Sequence, residues 1–153
     1  MIRPATENDA AELATLLQTL QDDLPRLAGE SFEVARARVE VALAAPADQM
    51  LLVVEMGEMV TGFVHTVWQP SLLREGGEGF VTALFVRPEY RGRGFGQALL
   101  DETRAEAERR GCSRLMLLNM RNRASYGRGF YAKQGWKERP EAANFVLELE
   151  RKA

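Results

Sequence analysis

The chain has one cysteine and one histidine in 153 residues. Cys112 has no second thiol within the chain to pair with, so no intramolecular disulfide framework is expected. It falls between a helix end and an apolar strand, where a packed thiol is the expected state and a nucleophile the alternative. No apolar run approaches the roughly 20 residues of a membrane span. The N-terminus leads straight into a predicted strand without the hydrophobic stretch of a signal peptide. A soluble, cytoplasmic protein with no membrane partner is expected. A basic excess is missing too: the net charge is −2, which gives no general field for nucleic acid, so no nucleic-acid partner is expected. Linkers, repeats and low-complexity runs are lacking, and residues 1–153 read as a single domain. That length buries about two-thirds of its unfolded surface.

Two familiar phosphate loops are absent as well. A P-loop needs Gly-Lys-Ser/Thr, which the chain does not contain. A dinucleotide fingerprint needs Gly-x-Gly-x-x-Gly, and after Gly92 and Gly94 the third position falls on Gln97. What is present is Arg91-Gly92-Arg93-Gly94-Phe95-Gly96. It follows an apolar, β-branched and aromatic run, Phe80 to Val86, that reads as a buried strand. It precedes Leu99, Leu100, Thr103 and Ala107 at helical spacing, with Arg109 and Arg110 in the last turn and Gly111 at its end. Strand, glycine turn and helix, in that order, can form an anion site. The helix start offers unpaired N–H groups and a positive dipole end, and glycines let phosphate oxygens approach the main chain.

The other elements follow from pattern. Thr6 with Asp9 makes a capping-box start for a helix through Ala10, Leu13, Ala14 and Leu17. Ser31 caps a second helix through Phe32, Ala35, Val39, Ala42 and Leu43, with Pro46 beyond it. Met50 to Glu55 and Val60 to Trp68 are strands of a hairpin. Arg114 to Asn119 is a further strand, Ser125 to Gln134 a short helix ended by Gly135, and Trp136 and Asn144 to Glu150 supply two last strands. The expected order is βααβββαβαββ.

The segment Arg91-x-x-Gly94-x-Gly96 after a strand ending in Val86 resembles the acyl-CoA signature of the Gcn5-related N-acetyltransferases; Met1 to Ala5 resembles that family's first strand, and the element order resembles the family over nearly the whole chain. The resemblance implies an α/β (α+β) fold, a mixed, mostly antiparallel sheet with helices on both faces. It implies direct transfer of an acetyl group from acetyl-CoA, with no metal, to a small-molecule or peptide amine. The main chain of Arg91, Gly92, Arg93, Gly94, Phe95 and Gly96 would hold the pyrophosphate, with the Arg91 and Arg93 side chains available to phosphate. Leu84, Phe85 and Val86 would pair with the pantetheine arm and polarise the acetyl carbonyl.

Tyr131 lies in Phe130-Tyr131-Ala132-Lys133-Gln134-Gly135-Trp136, which resembles the family's Tyr-x-x-x-Gly-Phe/Trp segment. That implies a general acid for the departing CoA thiolate, against the alternative of a half-buried helix aromatic. The asparagine that many members carry seven residues before the tyrosine is Ala124 here. Asn122 and Ser125 are the nearest polar candidates for the cofactor, with helix capping as their everyday use. Asn119 would reach the pantetheine or close a loop. For the base, the candidates are Glu78, His65 or an ordered water. Asp22, Asp23, Arg26, Glu30, Glu33, Glu75 and Glu78 fall on the acceptor side that the resemblance implies, and their carboxylates suit a cationic acceptor. A catalytically silent acyl-CoA sensor, or an unrelated α/β protein using the loop for a nucleotide, are the competing classes. Dimerisation is common in the family, and a homodimer is compatible with the chain.

Overall fold

In a computed structural model, residues 1–20, 24 and 28–151 are described. The chain forms two compact units, Met1–Leu118 and Asn119–Ala153. The first carries a five-stranded sheet in the order β1-β2-β3-β4-β5. The strands are β1 (Ile2–Pro4), β2 (Gln49–Met56), β3 (Met59–Gln69), β4 (Glu78–Val86) and β5 (Arg114–Leu117). Neighbours are antiparallel except β4 and β5, which are parallel. A parallel pair needs a crossover, and α3 (Phe95–Arg109) supplies it.

Helix starts follow the side chains that satisfy their free donors. The Asp9 carboxylate accepts from the Thr6 N–H at 2.7 Å just ahead of α1 (Ala10–Thr19). Ser31 Oγ accepts from the Val34 N–H at 3.2 Å at the start of α2 (Phe32–Ala44). Strand alternation then decides what each helix covers. The register aligns Val53 with Phe63 and Phe63 with Phe85. These pack in one buried cluster with Ala10, Leu13 and Leu16 of α1 and Val39 of α2. Leu52, Val54 and Val64, buried on the alternate positions, face the side covered by α3, whose Leu99, Leu100, Thr103 and Ala107 are buried. Gly62 permits a close approach of β3 to β4: a Cβ there would stand 2.6 Å from the Phe85 carbonyl oxygen.

The structure departs from the sequence expectation at several elements. The strand before the glycine loop begins at Glu78 rather than Phe80, and β5 ends at Leu117 rather than Asn119. In the second unit the expected helix Ser125–Gln134 is broken. The helix α4 covers Ala124–Gly127, Gly129 takes φ +67°, and a separate 3-10 turn covers Ala132–Gln134. Last, the two expected final strands do not form among the described residues: Phe145, Val146, Leu147 and Leu149 are exposed and lie outside any ladder. β-propensity is realised only by pairing, and this segment has the pattern of a strand without its partner. Among the described residues, no helix is long and apolar enough to cross a membrane.

Candidate active site

Strand β4 has two unlike edges. On one side β3 pairs along it from Gly62↔Val86 to Gln69↔Glu78. On the other, β5 pairs only from Glu78↔Arg114 to Val81↔Leu117. From Thr82 to Val86 that outer edge carries no strand pairing among the described residues. Antiparallel alternation fixes what the edge presents. The Arg87 N–H donates to the Thr61 carbonyl at 2.8 Å, toward β3. Phe85 and Ala83, two and four residues earlier, therefore also turn their N–H and C=O toward β3. Leu84 and Val86 turn theirs outward. Of the three residues expected to meet a pantetheine arm, Phe85 has its main chain committed to the sheet and its ring buried 6.1 Å from that of Phe63.

The open edge runs into the glycine loop. Arg91 Nε donates to the Val86 carbonyl at 2.8 Å, and its guanidinium lies 5.5 Å from the centre of the Phe85 ring. Arg93 sits 5.0 Å over the Tyr90 ring. Gly94 is the N-cap of α3 in the left-handed region, with φ +84°. A Cβ there would meet no atom within 4 Å, so conformation rather than space requires the glycine. The Gly94 carbonyl accepts the first helical hydrogen bond, from the Ala98 N–H at 3.0 Å. The N–H groups of Phe95, Gly96 and Gln97 thus project from the helix start with the positive end of its dipole. This arrangement fits a pyrophosphate followed by an extended, amide-bearing arm.

Glu78 lies at the closed end of the β4/β5 pair. Its carboxylate accepts from Arg114 Nε at 2.5 Å, and its side chain is 13% exposed. Charge pairing at that end of the strand, four residues before the edge opens, does not suit a base working at the edge. His65 faces the same side of the sheet as Phe63, and both ring nitrogens are engaged: Nδ1 with Thr82 Oγ1, and Nε2 with Gln49 Oε1 at 2.8 Å. Burial holds its pKa below the ordinary imidazole value. Thr82 and Gln49 went unnoticed in the sequence, because nothing in an apolar strand pattern signals a polar contact across three strands. Of the acceptor-side charges, Asp22, Asp23 and Arg26 lie outside the described residues. Glu30 pairs with Arg38, and Glu78 with Arg114, which leaves the cationic-acceptor expectation with less free carboxylate than the sequence suggested.

The second unit holds the remaining candidates. Asn119 Nδ2 donates to Ser125 Oγ at 2.9 Å, so these two close a loop on each other. Asn122 is exposed, and the N-cap of α4 is Arg123 rather than Asn122 or Ser125. With the helix ending at Gly127, Tyr126 and Phe130 do not share a helical stripe. Tyr126 instead donates its hydroxyl to Glu138 Oε2 at 3.0 Å, and Arg121 pairs with the same carboxylate. Tyr131 packs edge-on between Phe130, at 4.9 Å, and Trp136, at 6.2 Å between ring centres. Burial raises its phenol pKa above the ordinary value, against an opposing pull from the Arg123 and Arg128 charges. Cys112 is a free thiol pushed up chiefly by burial, the environment of a packed rather than reactive group. Among the described residues no group of three or more His, Cys, Asp or Glu side chains is placed to hold a metal ion.

A family profile described as the acetyltransferase (GNAT) family matches residues 13–136. No curated protein matches the chain in sequence. Among solved structures, a possible acetyltransferase from Clostridium difficile 630 is similar with a TM-score of 0.85 and 16% identity, over 99% of this chain and 98% of that one. A ribosomal-protein-alanine N-acetyltransferase from Brucella melitensis biovar Abortus 2308 is similar at 0.76 and 24% identity, over 97% and 99%. AAC(6')-Iy, in complex with the bisubstrate analog CoA-S-monomethyl-acetylneamine, is similar at 0.76 and 16% identity, over 99% and 97%. At these identities the likeness establishes the fold.

Proposed function

The chain belongs to the acetyltransferase (GNAT) family, and we propose that it is an acetyl-CoA-dependent N-acetyltransferase acting on a primary amine by direct transfer. The observation that carries this reading is the open edge of β4 leading into a left-handed glycine turn at the start of α3. The loop from Arg91 to Gly96 holds the pyrophosphate through main-chain N–H groups and the helix dipole. Leu84 and Val86 offer the extended arm a strand edge, and an outward N–H there stabilises negative charge developing on the acetyl oxygen. Tyr131 gives its proton to the departing thiolate, a role for which a half-buried, neutral phenol is suited. Asn122, exposed just ahead of α4, lends a polar contact to the cofactor. The protein works in the cytoplasm as one domain over residues 1–153, on a small-molecule or peptide amine, and needs no metal.

Calorimetric titration with acetyl-CoA, with ATP and NAD as controls, tests the cofactor. Micromolar binding of acetyl-CoA alone is expected, and folded protein that does not bind it would overturn the reading. A panel of amines assayed by CoA release then tests the reaction. Binding with no release for any amine would make the chain an acyl-CoA sensor.

A further inference from the structure

The sheet opens and bulges at the same residue. His65 pairs with Ala83 and Thr66 with Val81, so Thr82 is the extra residue of a β-bulge, immediately after the last β4 residue paired with β5. A bulged residue leaves strict alternation and its side chain can be re-aimed. Thr82 is exposed, yet its Oγ1 is hydrogen-bonded to His65 Nδ1. Behind it, His65 Nε2 meets Gln49 Oε1 at 2.8 Å. An amide oxygen only accepts, so Nε2 carries the hydrogen, Nδ1 carries a lone pair, and the Thr82 hydroxyl donates to it. The His65 carbonyl, 3.4 Å from the same hydroxyl, is too distant to compete well. The result is a solvent-facing hydroxyl at the mouth of the fork, backed by a half-buried imidazole in the neutral tautomer that can take a proton.

Given acetyl transfer at this edge, on which the inference rests, we infer that Thr82 accepts the proton of the attacking amine and passes its own hydroxyl proton to His65 Nδ1. As the amine nitrogen bonds to the acetyl carbon, its proton goes to Thr82 Oγ1 and the Thr82 proton goes to His65. The carbon–sulfur bond breaks with its electron pair on sulfur, which takes its proton from Tyr131. His65, now cationic, keeps Nε2–H on Gln49 and returns its Nδ1 proton to water by way of Thr82; Tyr131 regains a proton from water. Thr82 touches the amine; His65 and Gln49 act through it. A tie serving only to hold β2, β3 and β4 together would not require the hydroxyl to stand exposed at the point where the strands part.

Because His65 is the only histidine, nitrogen NMR of the imidazole reads a single residue. The wild-type ring is expected as the Nε2–H tautomer, with the Nδ1 signal shifting in Thr82→Val. In a CoA-release assay with a reacting amine, Thr82→Val should lower kcat about a hundredfold, within the usual range for proton-transfer catalysis. Acetyl-CoA affinity should stay unchanged, and Thr82→Ser should restore turnover. Valine matches threonine in shape, so this pair of variants keeps the test independent of folding. An Nδ1–H tautomer, or undiminished kcat in Thr82→Val, would overturn the relay alone. Folded wild-type protein that neither binds acetyl-CoA nor releases CoA would overturn the transferase reading and the relay with it.

Discussion

Arg91 donates from Nε to the carbonyl of Val86 at 2.8 Å, so the first residue of the glycine loop is fastened to the last residue of the strand before it. The bond fixes where the loop begins relative to the open edge of β4. It also occupies the outward carbonyl of Val86, leaving that residue's N–H.

Arg91→Met should therefore loosen the loop without disturbing the core. Losing a charge-assisted hydrogen bond costs about 1.5–3 kcal/mol. Acetyl-CoA affinity should fall by about tenfold or more on that scale, and the melting temperature should drop by several degrees at most, the share of this one exposed bond. Calorimetry and thermal unfolding on the same sample check both parts, and a large loss of stability with normal affinity would contradict the assignment.

Gly94→Ala tests conformation against space. With φ at +84° and open surroundings, the added methyl has room but forces a left-handed alanine, at a cost of about 1–2 kcal/mol. The expected outcome is a modest drop in stability together with a marked loss of acetyl-CoA binding, as the start of α3 is re-aimed. Stability lost with binding intact would show that the turn serves only the fold.

Glu78→Gln separates a structural carboxylate from a base. The Arg114 pairing predicts kcat within about twofold of wild type, and a stability loss of about 1–3 kcal/mol because a partly buried charge loses its ion. A steep fall in kcat with unchanged stability would instead restore Glu78 as the base.

Tyr131→Phe should lower kcat while acetyl-CoA binds almost normally, since the hydroxyl acts as sulfur leaves. The raised phenol pKa sets the sign of the pH dependence. The folded protein holds this proton to higher pH than an unfolded chain does, so the acid stays available through the ordinary tyrosine range. Stability drawn from the neutral ring is lost only as pH rises through and beyond that range. A pH profile of kcat should thus show no loss from this group near neutrality, and a decline at lower pH that disappears in Tyr131→Phe would contradict it.

Much of the first unit was legible in the sequence because its signals are local. Glycines at 92 and 94 mark the positions that need positive φ, Ser31 and Thr6 mark helix starts, and alternating apolar residues mark β2 and β3. What sequence pattern could not carry was pairing. The exposed run around Phe145 to Leu149 has strand character and no strand, since a ladder depends on a neighbour. The bulge at Thr82 was equally hidden: one extra residue on β4 shows only when β3 is laid beside it. Glu78 looked like a free carboxylate because Arg114 lies far along the chain and becomes its neighbour only through the parallel pairing. The break at Gly129 was visible as a glycine, but the helical spacing around it suggested continuity.

A bare strand edge invites any extended polypeptide to add to it, the usual route to sticky, fibre-forming sheets. On β4 the invitation is narrow. β5 closes the edge up to Val81, and the Arg91 guanidinium plugs the Val86 carbonyl, so that Leu84 keeps both main-chain groups on offer and Val86 only its N–H. A second peptide finds too few rungs there to register against. A slender arm carrying isolated amides needs no more than these, so the fastening that shapes the cradle also guards it against the wrong guest.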